Sequence, residues 1–205
     1  MYAVGWQGIA HGVPDVAGQK GQWFLELPSY SFAIASVFVG PDREVWAVGH
    51  APNYGERHYS GAVYYKAPRS NQWTMLALPG INLEFDQSFS DVLLTDYSTA
   101  VIIGQRGLIL RGSRQEDKSW IWQQVQSPTT QDLNSITYQD GTIWIVGNSG
   151  TILFSSDNGK TWSVLPLIVE GAGRVKNNLR RLKFFGETGW IAGDTVVLKG
   201  SPTRG

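Results

Sequence analysis

The sequence predicts an all-β chain, a β-propeller of about five four-stranded blades whose terminal blades are incomplete, and three observations predict it. Apolar residues come in short runs punctuated by Gly, Pro, Asn and Asp, which is the spacing of strands and turns and leaves little room for helix. A phrase made of an aromatic or β-branched residue, two apolar residues and glycine occurs five times. Its copies are Tyr2-Ala3-Val4-Gly5, Trp46-Ala47-Val48-Gly49, Val101-Ile102-Ile103-Gly104, Trp144-Ile145-Val146-Gly147 and Trp190-Ile191-Ala192-Gly193. The glycines stand 44, 55, 43 and 46 residues apart, and β-rich periods of roughly 40–50 residues belong to propeller blades.

Each period divides into four strands, A to D. Strand A precedes the phrase, with apolar residues three and then two apart: Phe89, Val92, Leu94; Leu133, Ile136, Tyr138; Leu179, Leu182, Phe184. The phrase itself is strand B. A G-x-x-G corner then leads into strand C, as at Gly104 to Gly107, Gly147 to Gly150 and, in the first copy, Gly5 to Gly8. Glycine suits a two-residue hairpin loop, which needs positive φ. Strand D opens on tryptophan and closes near proline: Trp23 to Pro28, Trp73 to Pro79, Trp122 to Pro128, Trp162 to Pro166. One propeller domain over 1–205 follows, with blades at about 1–28, 29–79, 80–128, 129–167 and 168–205. It starts at strand B and ends at strand C. Open edge strands invite pairing, so the expectation is either a longer parent chain or self-association through the terminal blades.

Composition excludes several functions. Seventeen basic and seventeen acidic residues cancel, so no global field favours nucleic acid. No apolar run approaches the roughly 20 residues of a membrane span, and Met1 to Gly5 lack the basic start and apolar stretch of a signal peptide. The chain has no cysteine, hence no disulfide, thiolate metal site or cysteine nucleophile. No cofactor or metal is expected either. His11 and His50 stand without ligand spacing, and Gly171-Ala172-Gly173 lacks the strand-then-helix setting of a phosphate loop.

The sharpest motif is Ser155-Ser156-Asp157-Asn158-Gly159-Lys160-Thr161-Trp162. It fits S-x-D-x-G-x-T-W and resembles the Asp box, the bacterial neuraminidase repeat that marks C-to-D hairpins of sialidase-like propellers. A degraded copy runs from Ser113 to Trp120. Asp157 and the hydroxyls of Ser155 and Thr161 can accept backbone N–H bonds across the bend. Gly159 takes the positive φ, and Trp162 tucks between sheets. The spacing is not that of a calcium loop and no bidentate glutamate follows, so the box is assigned to structure.

With that box, the wording from Trp144 to Trp162 resembles the photosystem II assembly and stability factor family, and the resemblance extends more loosely over all five repeats. Members of that family are longer, with more blades. The resemblance implies a non-enzymatic chaperone that binds a membrane-protein precursor on the lumenal side of thylakoids, and an arginine-rich patch used in partner binding. Similar repeats occur in sialidases, xyloglucanases and sortilin-type receptors, so the fold alone does not fix function. A glycan-binding or glycosidase-related propeller is therefore the second reading. Against catalysis, no R-I-P phrase precedes the first Asp box. Tyr54, Glu56, Arg57, His58 and Tyr59 read as a polar insertion in the long B-to-C loop from Gly49 to Gly61.

Candidate partner-binding residues gather elsewhere. Arg174, Lys176, Arg180, Arg181 and Lys183 put five positive charges within ten residues without an acid, a local attraction in a neutral chain. The B-to-C loops add Arg106, Arg57, Tyr54 and Tyr59, and D-to-A and B-to-C connections emerge on one face. Trp6, Gln7, His50, Asn53, His58, Gln105, Asn148 and Asp194 share that face. Tyrosine, tryptophan and arginine are enriched at interface hot spots, so the expected partner is a protein with an acidic segment, with a glycan as the second class.

Overall fold

The computed structural model describes residues 2–5, 8–13, 22–28, 33–53, 58–169 and 173–201. They form five small antiparallel sheets that are the blades of an all-β propeller, one further two-stranded hairpin, and almost no helix. Blade 1 is β1 (Tyr2–Gly5), β2 (Gly8–Val13) and β3 (Gln22–Pro28). Blade 2 is β4 (Ala33–Val39), β5 (Val45–Asn53), β6 (His58–Lys66) and β7 (Trp73–Leu76). Blade 3 is β8 (Phe89–Leu94), β9 (Thr99–Gly104), β10 (Ile109–Arg114) and β11 (Trp120–Gln124). Blade 4 is β12 (Leu133–Gln139), β13 (Thr142–Gly147), β14 (Ile152–Ser155) and β15 (Ser163–Val164). A short hairpin, β16 (Ile168–Val169) with β17 (Gly173–Arg174), precedes blade 5, which is β18 (Leu179–Phe185), β19 (Thr188–Gly193) and β20 (Val196–Gly200). The terminal blades have three strands, B to D in the first and A to C in the last, as the repeat predicts. Strand D of blade 4 is only two residues long, shorter than the run from Trp162 to Pro166 suggests.

The phrase is strand B in every blade, and in blades 2 and 3 it is buried throughout. Residues Thr99 to Gly104 are buried throughout, which suits a strand covered on both faces. Its final glycine is required by close approach. A Cβ on Gly49 would stand 2.0 Å from the Ala33 carbonyl, one on Gly147 2.3 Å from that of Asp132, and one on Gly193 2.5 Å from that of Asn178. These glycines are extended where φ is measured (Gly147, φ −154). Positive φ falls instead on two residues of the corner in blades 3 and 4: Arg106 (φ 54) and Gly107 (φ 72), Ser149 (φ 56) and Gly150 (φ 69). Two consecutive left-handed residues make the turn whose twist matches a β-hairpin.

The chain packs as two compact units, 1–92 and 93–205. In the first, Ile9, Ile34, Ala47, Ala62 and Tyr64 form the core. Beside it Lys66, buried on β6, donates to Glu26 at 2.8 and 2.7 Å, while the Trp73 indole donates to the same carboxylate at 3.2 Å. Lys66 also stands 5.7 Å from the Tyr2 ring and 5.9 Å from that of Trp73. Burial works against its charge, but the hydrogen bonds to Glu26 and Tyr2 prevail and raise its pKa. Blades 1 and 2 are thus joined by an ion pair in an aromatic setting. In the second unit, Val146, Ile152, Leu179 and Leu182 join blades 4 and 5, with Trp144 and Phe184 against them.

The long B-to-C loop of blade 2 is largely strand. β5 and β6 pair out to Asn53 and His58, so the extra residues lengthen the hairpin ladder. Gly61 nonetheless makes a corner contact, its N–H donating to the Gln87 carbonyl at 2.8 Å.

Candidate functional site

In residues 93–205 the corner contacts define which loops share an end. The Arg106 N–H donates to Asp132 Oδ1 at 2.9 Å, just before β12. The Ser149 N–H donates to Asn178 Oδ1 at 3.1 Å, just before β18, and the Gly150 N–H to the Asn177 carbonyl at 2.8 Å. Each B-to-C corner therefore rests on the start of strand A in the next blade. All these corners and D-to-A connections lie at one end, with A-to-B and C-to-D turns at the other. The repeat wording predicts this arrangement, but Asp132 and Asn178 were not singled out. Their signal was legible: in blades 4 and 5 a carboxylate or amide, Asp132 or Asn178, stands immediately before the leucine that opens strand A.

The Asp box lies at the far end and is a closed turn. Asp157 Oδ1 accepts the N–H groups of Lys160 (3.0 Å) and Thr161 (2.9 Å) and the Ser155 hydroxyl (2.7 Å), and Oδ2 accepts the Thr161 hydroxyl at 2.6 Å. Ser155 Oγ accepts the Gly159 N–H at 2.9 Å. Partial burial pushes the Asp157 carboxyl up, yet these bonds outweigh it and hold the pKa down at about 2. Gly159 has φ +76, and Trp162 is buried. Arg111 of blade 3 donates to the Asn158 carbonyl at 2.8 Å. The polar side chains of Ser155, Asp157 and Thr161 thus serve the turn itself.

The basic segment divides. Arg180 forms a bidentate pair with Asp194, both contacts at 2.9 Å, and the hydrogen bond from Arg180 lowers the Asp194 pKa. This acid comes from the B-to-C corner of blade 5 and was out of view in a ten-residue window. Arg181 and Lys183 are exposed on β18, with Lys183 paired opposite Trp190, toward the far end of the strand. Arg174 and Lys176 are exposed on the D-to-A connection. Among the described residues Arg174, Lys176 and Lys183 have no ion-pair partner. Arg106 shares the loop end with Arg174, Lys176 and Arg180, whereas Lys183 does not. Tyr54, Glu56, Arg57, Trp6 and Gln7 lie outside the described residues. Tyr59 is placed by its backbone alone, opposite Pro52 in the β5–β6 ladder.

A cleft of about 590 Å³ opens at this same end. One wall is the Pro128 to Gln131 connection with the Ser149–Gly150 corner; the other is Val164 to Ile168 with Arg174. Sequence reasoning missed all of these except Arg174, because nothing in the wording of a connection marks it as concave.

Repeated antiparallel blades carrying an Asp-box hairpin define a β-propeller of the neuraminidase-repeat type. The sequence pattern of the family described as "Photosynthesis system II assembly factor YCF48" matches residues 65–174 and, overlapping, 114–205. The chain belongs to that family. Among solved structures it is similar to "YCF48 bound to D1 peptide", with TM-score 0.66 and 20% identity over 98% of this chain and 62% of that one. It is similar to YCF48 from Cyanidioschyzon merolae, with TM-score 0.59 and 22% identity over 82% of this chain and 50% of that one. The computationally designed protein Ika4 has a TM-score of 0.55 at 12% identity, over 84% of this chain and 92% of its own. The chain thus spans 50% and 62% of the length of the two YCF48 structures. A comparison with curated proteins gives no match.

Proposed function

We propose that the chain is a non-enzymatic photosystem II assembly factor that holds a protein partner by an acidic segment, at the end of residues 93–205 where the B-to-C corners and D-to-A connections meet. The observation that carries this reading is membership of the YCF48 family, one of whose structures is described as bound to a D1 peptide. The electrostatics support it. Two cations at this end, Arg174 and Lys176, have no ion pair among the described residues, and they sit on a connection held between rigid sheets, where binding residues concentrate. Such charges attract an acidic segment, speed its encounter and set its orientation, and salt weakens the attraction. The side chains of Ser155, Asp157 and Thr161 in the Asp box are spent on its own turn, which supports a structural role for it rather than a substrate site.

The test is binding of a synthetic D1 peptide to the purified chain, followed by fluorescence anisotropy. Arg174→Glu with Lys176→Glu should weaken binding at least tenfold at low salt and leave the melting temperature unchanged. Arg180 is the wrong position for this test, since its removal frees Asp194. Undiminished binding by the double variant would rule out this end as the contact.

A further inference from the structure

The cleft beside Arg174 has a chemistry that a simple basic patch does not. In the β16–β17 hairpin Ile168 pairs directly with Arg174, and directly opposed residues of an antiparallel pair share a face with their Cβ atoms about 5 Å apart. Ile168 is 73% exposed, and Leu165 and Leu167 continue the apolar wall beside it. Across the cleft the Ser149 hydroxyl donates to Gln131 Oε1 at 2.9 Å, which leaves the Gln131 amide NH₂ as a donor without a partner among the described residues. Among the described residues no carboxylate lines the cleft. Its one charged group among the described residues is the Arg174 guanidinium, which stands with the Gln131 amide and the hydroxyls of Thr129, Ser149 and Thr151 against aliphatic side chains. The volume of about 590 Å³ is within the range of a ligand site.

We propose that this cleft is the anchoring pocket for an extended segment of a protein partner in which an apolar side chain stands one or two residues from a carboxylate. The carboxylate meets Arg174 and the Gln131 amide, and the apolar side chain lies on Ile168, Leu165 and Leu167. Charge complementarity and the apolar wall select this occupant over a purely acidic segment, which would leave the exposed isoleucine wet, and over a purely apolar one, which would bury the guanidinium unpaired. This inference rests on the partner-binding reading above and makes it specific.

The probe is a fluorescein-labelled, C-terminally amidated peptide, Ser-Leu-Ala-Asp-Ser, with two controls that replace its Asp by Asn or its Leu by Ala. Binding of each to the 205-residue chain is measured by anisotropy at low salt. The wild type should bind the parent peptide at least tenfold more tightly than either control. Arg174→Ala and Ile168→Ser, both exposed positions, should each lose at least tenfold at unchanged melting temperature, while Lys183→Ala stays within twofold. Equal binding of the three peptides, retention by the Arg174 and Ile168 variants, or no binding by the wild type would each overturn the pocket. Testing the same variants on the D1 peptide separates the two readings. If D1 binding survives Arg174→Ala and Ile168→Ser, the partner function stands and the pocket falls. If the wild type binds Ser-Leu-Ala-Asp-Ser but not the D1 peptide, the pocket stands and the D1 assignment falls.

Discussion

The C-to-D hairpins of blades 3 and 4 have the same length and the same hydroxyl–tryptophan ending, yet they fold differently. In blade 4, Asp157 gathers two amides and two hydroxyls and the chain leaves the ladder at Ser155. In blade 3, β10 and β11 stay paired to Arg114 and Trp120, and the turn is closed by the Gln115 N–H to the Ser119 carbonyl at 2.8 Å. Asp117 there holds only Ser119, by its N–H at 2.9 Å and its hydroxyl at 2.6 Å. The tryptophans differ accordingly. Trp162 is buried beside the box, whereas Trp120 is half-exposed and the buried place is taken by Trp122, packed over Gly112. Two positions decide the outcome. Where the box has Asp157 and Gly159, blade 3 has Gln115 and Asp117, so the acid arrives two residues late and can close only a local turn.

The largest expected effect tests the glycine. Gly159→Val forces a β-branched residue to φ +76 with its Cβ about 3.1 Å from Val101 Cγ2, and should destabilise by about 3 kcal/mol. In blade 3 the left-handed residue is already Lys118, at φ 67. Lys118→Gly should therefore leave the melting temperature unchanged or raise it. A loss from Lys118→Gly comparable to that from Gly159→Val would show that the two hairpins obey the same constraint.

Removing the acids comes next. Asp157→Ala strips four acceptor contacts from the turn and should cost about 2 kcal/mol in denaturant unfolding, with binding at the opposite end unaffected. Asp117→Ala should give no measurable change, because its turn keeps the backbone bond between Gln115 and Ser119. Equal losses would collapse the distinction between the box and its degraded copy.

The smallest effect is in pH. The Asp157 carboxyl is lowered to about 2 in the fold from the ordinary carboxylate range near 4. Its contribution is therefore complete above that range and lost as pH falls through about 2. The gap in melting temperature between wild type and Asp157→Asn should be constant above pH 5 and narrow from about pH 4 to pH 2. A gap that widens on acidification would reverse the sign.

The repeat made the blades legible because it is a statement about local conformation: strand B of blades 2, 4 and 5 ends where a glycine must admit a neighbouring carbonyl, and each leaves that glycine in the sequence. The Asp box was legible for the same reason, since its partners lie within eight residues. The sites built across distance were not. Lys66 meets Glu26 across 40 positions, Arg180 meets Asp194 across 14, and the walls of the cleft come from three connections. Charge counted along the chain overstated the patch, because one of its five cations, Arg180, is paired with an acid from the following B-to-C corner, Asp194.

The corner latches give the molecule built-in reporters. The amide of Arg106 is hydrogen-bonded only while Asp132 at the head of blade 4 is in place, and that of Ser149 only while Asn178 at the head of blade 5 is. In hydrogen exchange each of these amides therefore reads the docking of the following blade rather than the integrity of its own. If blade 5 opens more readily than blade 4, the Ser149 amide will exchange faster than that of Arg106, while the ladder amides around both remain protected. Opening in a repeat array passes between neighbours, and two amides in exposed corners would record the order in which it passes.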